Sequence, residues 1–345
     1  MGCYVELWPE QLTAIDGVRV LAGPEVKANI LPALGIPVEG IVAGSPARQR
    51  TRAFVKVQDG CNNHCTYCVV CIARGRERSR PLEDILAEIA QLAGEGVQEI
   101  VLTGVHVGAY GHDLGLDLVD LVRAILDSGR VPRLRLSSIE PWHLHSRFLD
   151  LWMDQRLCRH LHLPLQSGCD ATLRRMGRRY TTEEVSRLVT GARNRIPDLA
   201  ITTDVMVGFP GETEAEFAES LRFVERMQFS RLHIFRYSRR PGTAAANFPD
   251  QVLSEISSKR SDLMGECGDQ LGRCFRESML GKTFPVLWET RDDAGGCWSG
   301  LTDNYIRVSI ESDANLHNQI SMVRLIHLED GEAVRGALPE TAELI

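Results

Sequence analysis

Four of the ten cysteines fall within eleven residues, in "GCNNHCTYCVVC" from Gly60 to Cys71. Three of them, Cys61, Cys65 and Cys68, make C-x3-C-x2-C. Thiolates at that spacing on one short loop can hold three corners of a cubane iron–sulfur cluster and leave the fourth iron open to a substrate or cofactor. Two plainer readings stand beside it. Zinc could take the same thiols with His64 or Cys71 as fourth ligand, although structural zinc ligands usually come as two separated pairs that close a fold. A fully ligated electron-transfer cluster could use Cys71, although the spacing here is x3-x2-x2 where bacterial ferredoxins show x2-x2-x3. The open cluster is favoured because the loop follows the first strand of a βα array.

That array must position the thiols. Phe54–Val57 reads as the first strand. Pro81 suits a first helical position, and Leu82, Ile85, Ile89 and Leu92 follow at helical spacing until Gly94 and Gly96. Further strands are expected at 98–104, 134–138, 161–165, 200–209 and 231–235, with helices at 118–126, 214–227 and 254–280. Six strands alternating with helices imply an α/β fold with a parallel sheet and right-handed crossovers. Curled, the sheet is a partial barrel whose site lies at the C-terminal strand ends, where the cysteine loop falls. From Gly281 the period changes: "TFPVLWE", "CWSGLT", "YIRVSI" and "ISMVRLIHL" predict a small antiparallel barrel of the oligonucleotide-binding type. The expected division is 1–46, 47–280 and 281–345.

Composition bounds the partners. The chain has 345 residues and a formal net charge of −7. Residues 281–345 hold five bases and eleven acids, so most of that charge sits at the C-terminal end. No basic surface of the kind expected for a DNA binder is evident. No run of about 18 apolar residues predicts a membrane span, and no secretory leader is seen. A reducing cytoplasm suits the clustered cysteines. Arg174, Arg175, Arg178 and Arg179 form the densest basic patch, a candidate RNA contact, with Arg74, Arg76, Arg78 and Arg80 a weaker one. His106, His143 and His162 read as core or loop residues. Cys158, Cys169, Cys267, Cys274 and Cys297 read as small packed residues. Trp288, Trp298 and Tyr305 could stack on unpaired bases or fill the C-terminal barrel, and the acidic balance favours filling.

The cysteine motif, on the first strand–helix loop of a six-fold βα barrel, resembles that of the radical S-adenosylmethionine enzymes. "CNNHCTYCVVCIARGRERSR" is similar to their methylthiotransferase branch, with Cys71 where the branch usually has Pro. "LHLPLQSGCDATLRRMGRRYT" (161–181) and "TTDVMVGFPGETEAEF" (202–217) resemble it too, and the C-terminal strands resemble its TRAM domain. "LTGVHVGAYG" (102–111) and "LRLSSIEP" (134–141) are similar to the members that act on threonylcarbamoyladenosine in tRNA.

The resemblance implies a [4Fe-4S] cluster on Cys61, Cys65 and Cys68 whose open iron chelates S-adenosylmethionine. It implies a 5′-deoxyadenosyl radical, methylthiolation at C2 of the modified adenosine, tRNA as partner and an electron donor such as flavodoxin or ferredoxin. Gly104, Ser138, Glu140, Gln166 and Asp204, at or near strand ends, are the candidate cofactor-binding residues, Gly104 by allowing close approach. "MGCYVELWPEQL" resembles the stretch around one ligand of the branch's second cluster, which makes Cys3 a further candidate metal ligand. The two other ligands would precede Met1, so residues 1–46 are expected to be a remnant of the N-terminal domain. The alternatives are methylthiolation of isopentenyl-adenosine tRNA or of a ribosomal-protein aspartate, or a truncated chain that only cleaves S-adenosylmethionine and binds RNA.

Overall fold

The computed structural model describes residues 2–18, 23, 30–36, 51–292 and 296–339. Much of the expected remnant, 1–46, lies outside the described residues. Within it stand the short helices Cys3–Leu7 and Pro9–Thr13 and the turn of helix Ile30–Ala33.

Strands form where the apolar runs predict them. They are β1 (Arg52–Asp59), β3 (Glu99–Gly104), β4 (Arg133–Leu136), β5 (His160–Gln166), β6 (Ala200–Val207) and β7 (Arg231–Arg236). A two-residue strand, β2 (Arg78–Ser79), was not expected; the chain leaving the cysteine loop folds back antiparallel on the end of β1. The order is β2-β1-β3-β4 in one sheet and β5-β6-β7 in another, with parallel pairing throughout except at β2. Isolated parallel bridges, Leu134 to Leu157 and Ser138 to His162, carry the curve across from one sheet to the next. The result is the expected partial barrel.

Alternation along each strand sets what faces the lumen. On β1, Val55 and Val57 are fully buried in the core that includes Ile85 and Ile89 of the helix Leu82–Gly94, while Phe54 on the other face is 64% exposed. Helix Glu214–Met227 begins where the sequence puts it because Thr213 and Glu216 cap each other's backbone amides. Thr181 and Glu184 do the same for Thr182–Arg195, a helix the apolar periodicity did not reveal.

The C-terminal barrel comprises β8 (Thr283–Arg291), β9 (Cys297–Thr302), β10 (Arg307–Glu311), β11 (Ile320–Leu328) and β12 (Ala333–Ala337). It closes in the order β10-β12-β11-β8-β9. Four pairings are antiparallel as expected, and β10–β12 is parallel. An odd number of strands cannot close a ring with every neighbour antiparallel. Trp288 and Trp298 are buried inside, which settles them as filling, but Tyr305 is not. It lies at the floor of the larger barrel, stacked on His160 with ring centroids 4.7 Å apart.

That floor is built from buried charge. Glu99 receives Arg133 and Arg135 at 2.8 Å each. The same guanidinium groups donate to the carbonyls of Leu301, Thr302 and Asp303 in the C-terminal barrel. Of the five thiols expected to be packed, Cys158 and Cys169 are buried, but Cys274 is exposed on the helix Ser254–Ser278.

Candidate metal centre

Cys61, Cys65 and Cys68 follow β1 on the loop that the barrel geometry places at its mouth. Gly60 enters that loop with φ +73°, and a Cβ there would fall 1.9 Å from the Arg76 carbonyl oxygen, so only glycine fits. The loop is tied down on two sides. Thr66 donates its amide to the Met176 carbonyl at 3.0 Å and its hydroxyl to that of Arg175 at 2.8 Å. On the other side the buried Gln58 donates to the Asp59 and Gly60 carbonyls and accepts the His106 amide at 2.8 Å.

Each of the three sulfurs accepts an N–H. The Asn63 amide reaches Cys61, the Val70 amide reaches Cys68, and the Arg178 guanidinium reaches Cys65, all at 3.4 Å. An N–H donor at each sulfur, on one half-exposed loop, suits thiolates that share a cluster. Burial raises the Cys61 thiol and pushes Cys68 up to about 11, so both stay protonated near neutral pH and give up protons to a bound metal. Among the described residues, the Cys71 thiol reaches only the Cys68 carbonyl, at 3.9 Å.

A second layer adjoins Cys61. His106 Nδ1 lies 2.7 Å from Glu77, and Nε2 lies 3.1 Å from His143 Nε2. Burial and the neighbouring histidines hold His143 down at about 3, so that ring is neutral. Glu77 also takes the backbone and side-chain amides of Asn62, at 3.2 and 3.1 Å. Cys61, Glu77 and His106 place ligand atoms within 4.8 Å of one another, a set that the cysteine spacing alone did not reveal.

The other candidates are distributed around the mouth and lumen. A Cβ on Gly104 would meet the Gln58 carbonyl at 2.9 Å, so this glycine serves the approach of β1 to β3. Ser138 is exposed just past β4. Gln166 is buried at the end of β5 with φ 68°, a left-handed conformation that a non-glycine residue adopts at a cost. Asp204 lies on β6 between His162 and His233, at 3.2 and 3.3 Å. Burial alone would raise its carboxyl, but hydrogen bonds from the two rings hold it at about 2. Glu140 pairs with Arg178. Cys3, on its own short helix, accepts from Arg74 at 3.0 Å.

The basic patch needs correction. Arg178 is buried against Glu140 and Arg175 is paired with Glu216 at 2.7 Å, which leaves Arg174 and Arg179 exposed. A cavity of about 670 Å³ at the far end of the barrel, between β7, the helix Ser254–Ser278 and the C-terminal barrel, gathers Arg52, Arg231, Arg273, Arg276 and Arg307. It is remote from the cysteine loop. No described helix is long and apolar enough to cross a membrane.

A model of the radical SAM superfamily matches residues 55–224. The threonylcarbamoyladenosine tRNA methylthiotransferase MtaB of Thermotoga maritima is 38% identical over 324 residues, covering 89% of this chain and 74% of that protein. Its counterpart in Bacillus subtilis is 33% identical, covering 99% of this chain and 82% of that one. The tRNA-2-methylthio-N(6)-dimethylallyladenosine synthase of Acetivibrio thermocellus is 37% identical over 83% of this chain and 61% of that protein. Matched to relatives of one reaction class along nearly all its length, the chain belongs to the radical SAM tRNA methylthiotransferase family, enzymes that work with a [4Fe-4S] cluster and S-adenosylmethionine.

Proposed function

We propose that the chain methylthiolates C2 of N6-threonylcarbamoyladenosine in tRNA, with Cys61, Cys65 and Cys68 as the cluster ligands. The observation that carries the reading is the set of three loop sulfurs, each met by an N–H donor. When bound, the cluster supplies the electron and the open iron that split the sulfonium of S-adenosylmethionine and give a hydrogen-abstracting radical. The protein's own residues orient and keep water out. In this reading Ser138, Gln166 and Asp204 hold cofactor or substrate. Gly104 and Glu140 act one step back, by clearing Gln58 and by holding Arg178.

The substrate assignment rests on the loops 102–111 and 134–141. The first touches the cysteine loop, where His106 Nδ1 lies 3.4 Å from the Asn63 side-chain amide. Residues 47–280 carry the chemistry in this reading, and 281–345 hold RNA. Arg174 and Arg179, both exposed, are the candidate phosphate contacts. Cys3 belongs to the N-terminal segment, 1–46, as one ligand of the second cluster, and the electron comes from a flavodoxin- or ferredoxin-like donor.

The test is label transfer. Anaerobically reconstituted protein receives dithionite, S-adenosylmethionine and tRNA deuterated at C2 of the modified adenosine. Deuterium in 5′-deoxyadenosine is expected with the threonylcarbamoyl tRNA and at least tenfold less with the isopentenyl tRNA. The reverse preference would assign the isopentenyl substrate, and no transfer from either would remove C2 as the reacting atom.

A further inference from the structure

We propose that Arg178 sets the reduction potential of the cluster on the cysteine loop, with Glu140 as the counter-charge that moderates it. The proposal rests on the reading of Cys61, Cys65 and Cys68 as cluster ligands. Two of the three sulfurs accept neutral backbone amides, and among the described residues only Cys65 accepts from a cation. Arg178 cannot drift from this position. Its guanidinium also donates to the Tyr180 hydroxyl at 2.9 Å and the Pro164 carbonyl at 3.2 Å, and it pairs with Glu140. The rings of Trp142 and Tyr180 lie 5.5 and 5.0 Å from it.

Only 3% of the Arg178 side chain is exposed, so it is not a surface contact for RNA phosphate. At that burial its charge is screened less than a surface cation's would be, and the part that Glu140 does not offset acts on the nearby sulfur. Reduction moves one electron from an external one-electron donor onto the cluster, with no bond made or broken, and adds one unit of negative charge. A fixed cation at Cys65 therefore stabilises the reduced form more than the oxidised form. Hydrogen bonds and net charge at the cluster sulfurs are known levers on its potential. Glu140, on the far side of the same guanidinium, pulls the other way.

The opposed signs make the test. EPR-monitored redox titration is run on reconstituted full-length wild type, R178Q, R178K and E140Q, with iron content and S-adenosylmethionine affinity measured alongside. R178Q is expected to lower the reduced-to-oxidised ratio at a fixed potential about tenfold, a shift of about 59 mV to the negative for one electron. E140Q is expected to move the midpoint the other way, and R178K to stay closer to wild type than R178Q. A merely structural pair would lose iron in both variants and leave the midpoint of the retained cluster unmoved, which overturns the proposal. So would shifts of the same sign in R178Q and E140Q. Weakened S-adenosylmethionine binding at an unchanged midpoint would instead make Arg178 a cofactor contact. If R178Q holds no cluster, R178K and E140Q decide. A wild type that takes up no iron fails the earlier reading of the loop, a separate result.

Discussion

Sulfur by sulfur, the cysteine loop separates ligands from bystanders. Cys65→Ala removes the thiol that Arg178 and the loop are built around, and reconstituted protein should lose most of its iron and its visible absorbance while keeping its far-ultraviolet circular dichroism. Cys71→Pro should keep both. Its thiol makes one weak contact, and position 71 is the second residue of the helix Val70–Arg74, where the backbone N–H has no intrahelical partner to lose. Iron lost from Cys71→Pro would point to a fully ligated, electron-transfer cluster. Spacing alone made the three thiols legible, since ligand sets of this kind are local in sequence. Arg178, Glu77 and His106 were not: Glu77 returns on the chain that folds back along β1, His106 follows the neighbouring β3, and Arg178 arrives only through the curl of the sheet. The "RRMGRR" run even pointed the wrong way for Arg178, whose charge is turned inward.

At the level of elements, β5 shows how a strand irregularity feeds the site. Pro164 cannot donate to the ladder, and the β5–β6 register shifts between Leu163 and Gln166. Thr203 repairs the gap: its hydroxyl donates to the Leu163 carbonyl and accepts the Leu165 amide. The freed carbonyls of Pro164 and Leu165 take Tyr180, and Pro164 takes Arg178 as well. Thr203→Val should cost about 1–3 kcal/mol, the range for stranding buried polar groups, read as a lower urea midpoint at unchanged m. A loss below a few tenths would mean the bulge holds without the hydroxyl. The main strands and the long helices were legible because period and apolar runs are strong signals. Thr182–Arg195 had a readable start in "YTTEE", a capping box, but a weak apolar stripe. The bulge itself was not legible, since "LHLPLQ" reads equally well as a plain buried strand.

Over the whole molecule, Glu99 is the joint. Burial alone would raise its carboxyl, and the guanidinium groups of Arg135 and Arg133 outweigh that and hold it at about 2. A depressed folded-state value means this contribution, on the order of 3 kcal/mol, is present above about pH 4.5 and lost as the pH falls toward 2. Glu99→Gln should lower stability by about 3–5 kcal/mol at neutral pH, because two buried cations lose their partner, and should flatten the acid limb of the unfolding curve. An acid limb unchanged in Glu99→Gln would place the joint elsewhere. The sequence announced two barrels by its change of period at Gly281, but not their contact: Arg133 and Arg135 meet main-chain carbonyls, which carry no residue signature, and Arg159 meets the Asp303 carboxylate only in the fold. That detail has a consequence for inheritance. As far as Arg133 and Arg135 are concerned, the C-terminal barrel is recognised by the path of its chain at 301–303 rather than by its letters. Point changes of side chain there leave the acceptors in place, whereas a one-residue insertion moves all three at once. Apart from Asp303, whose carboxylate takes Arg159, that stretch should therefore tolerate drift in spelling and resist any change in length.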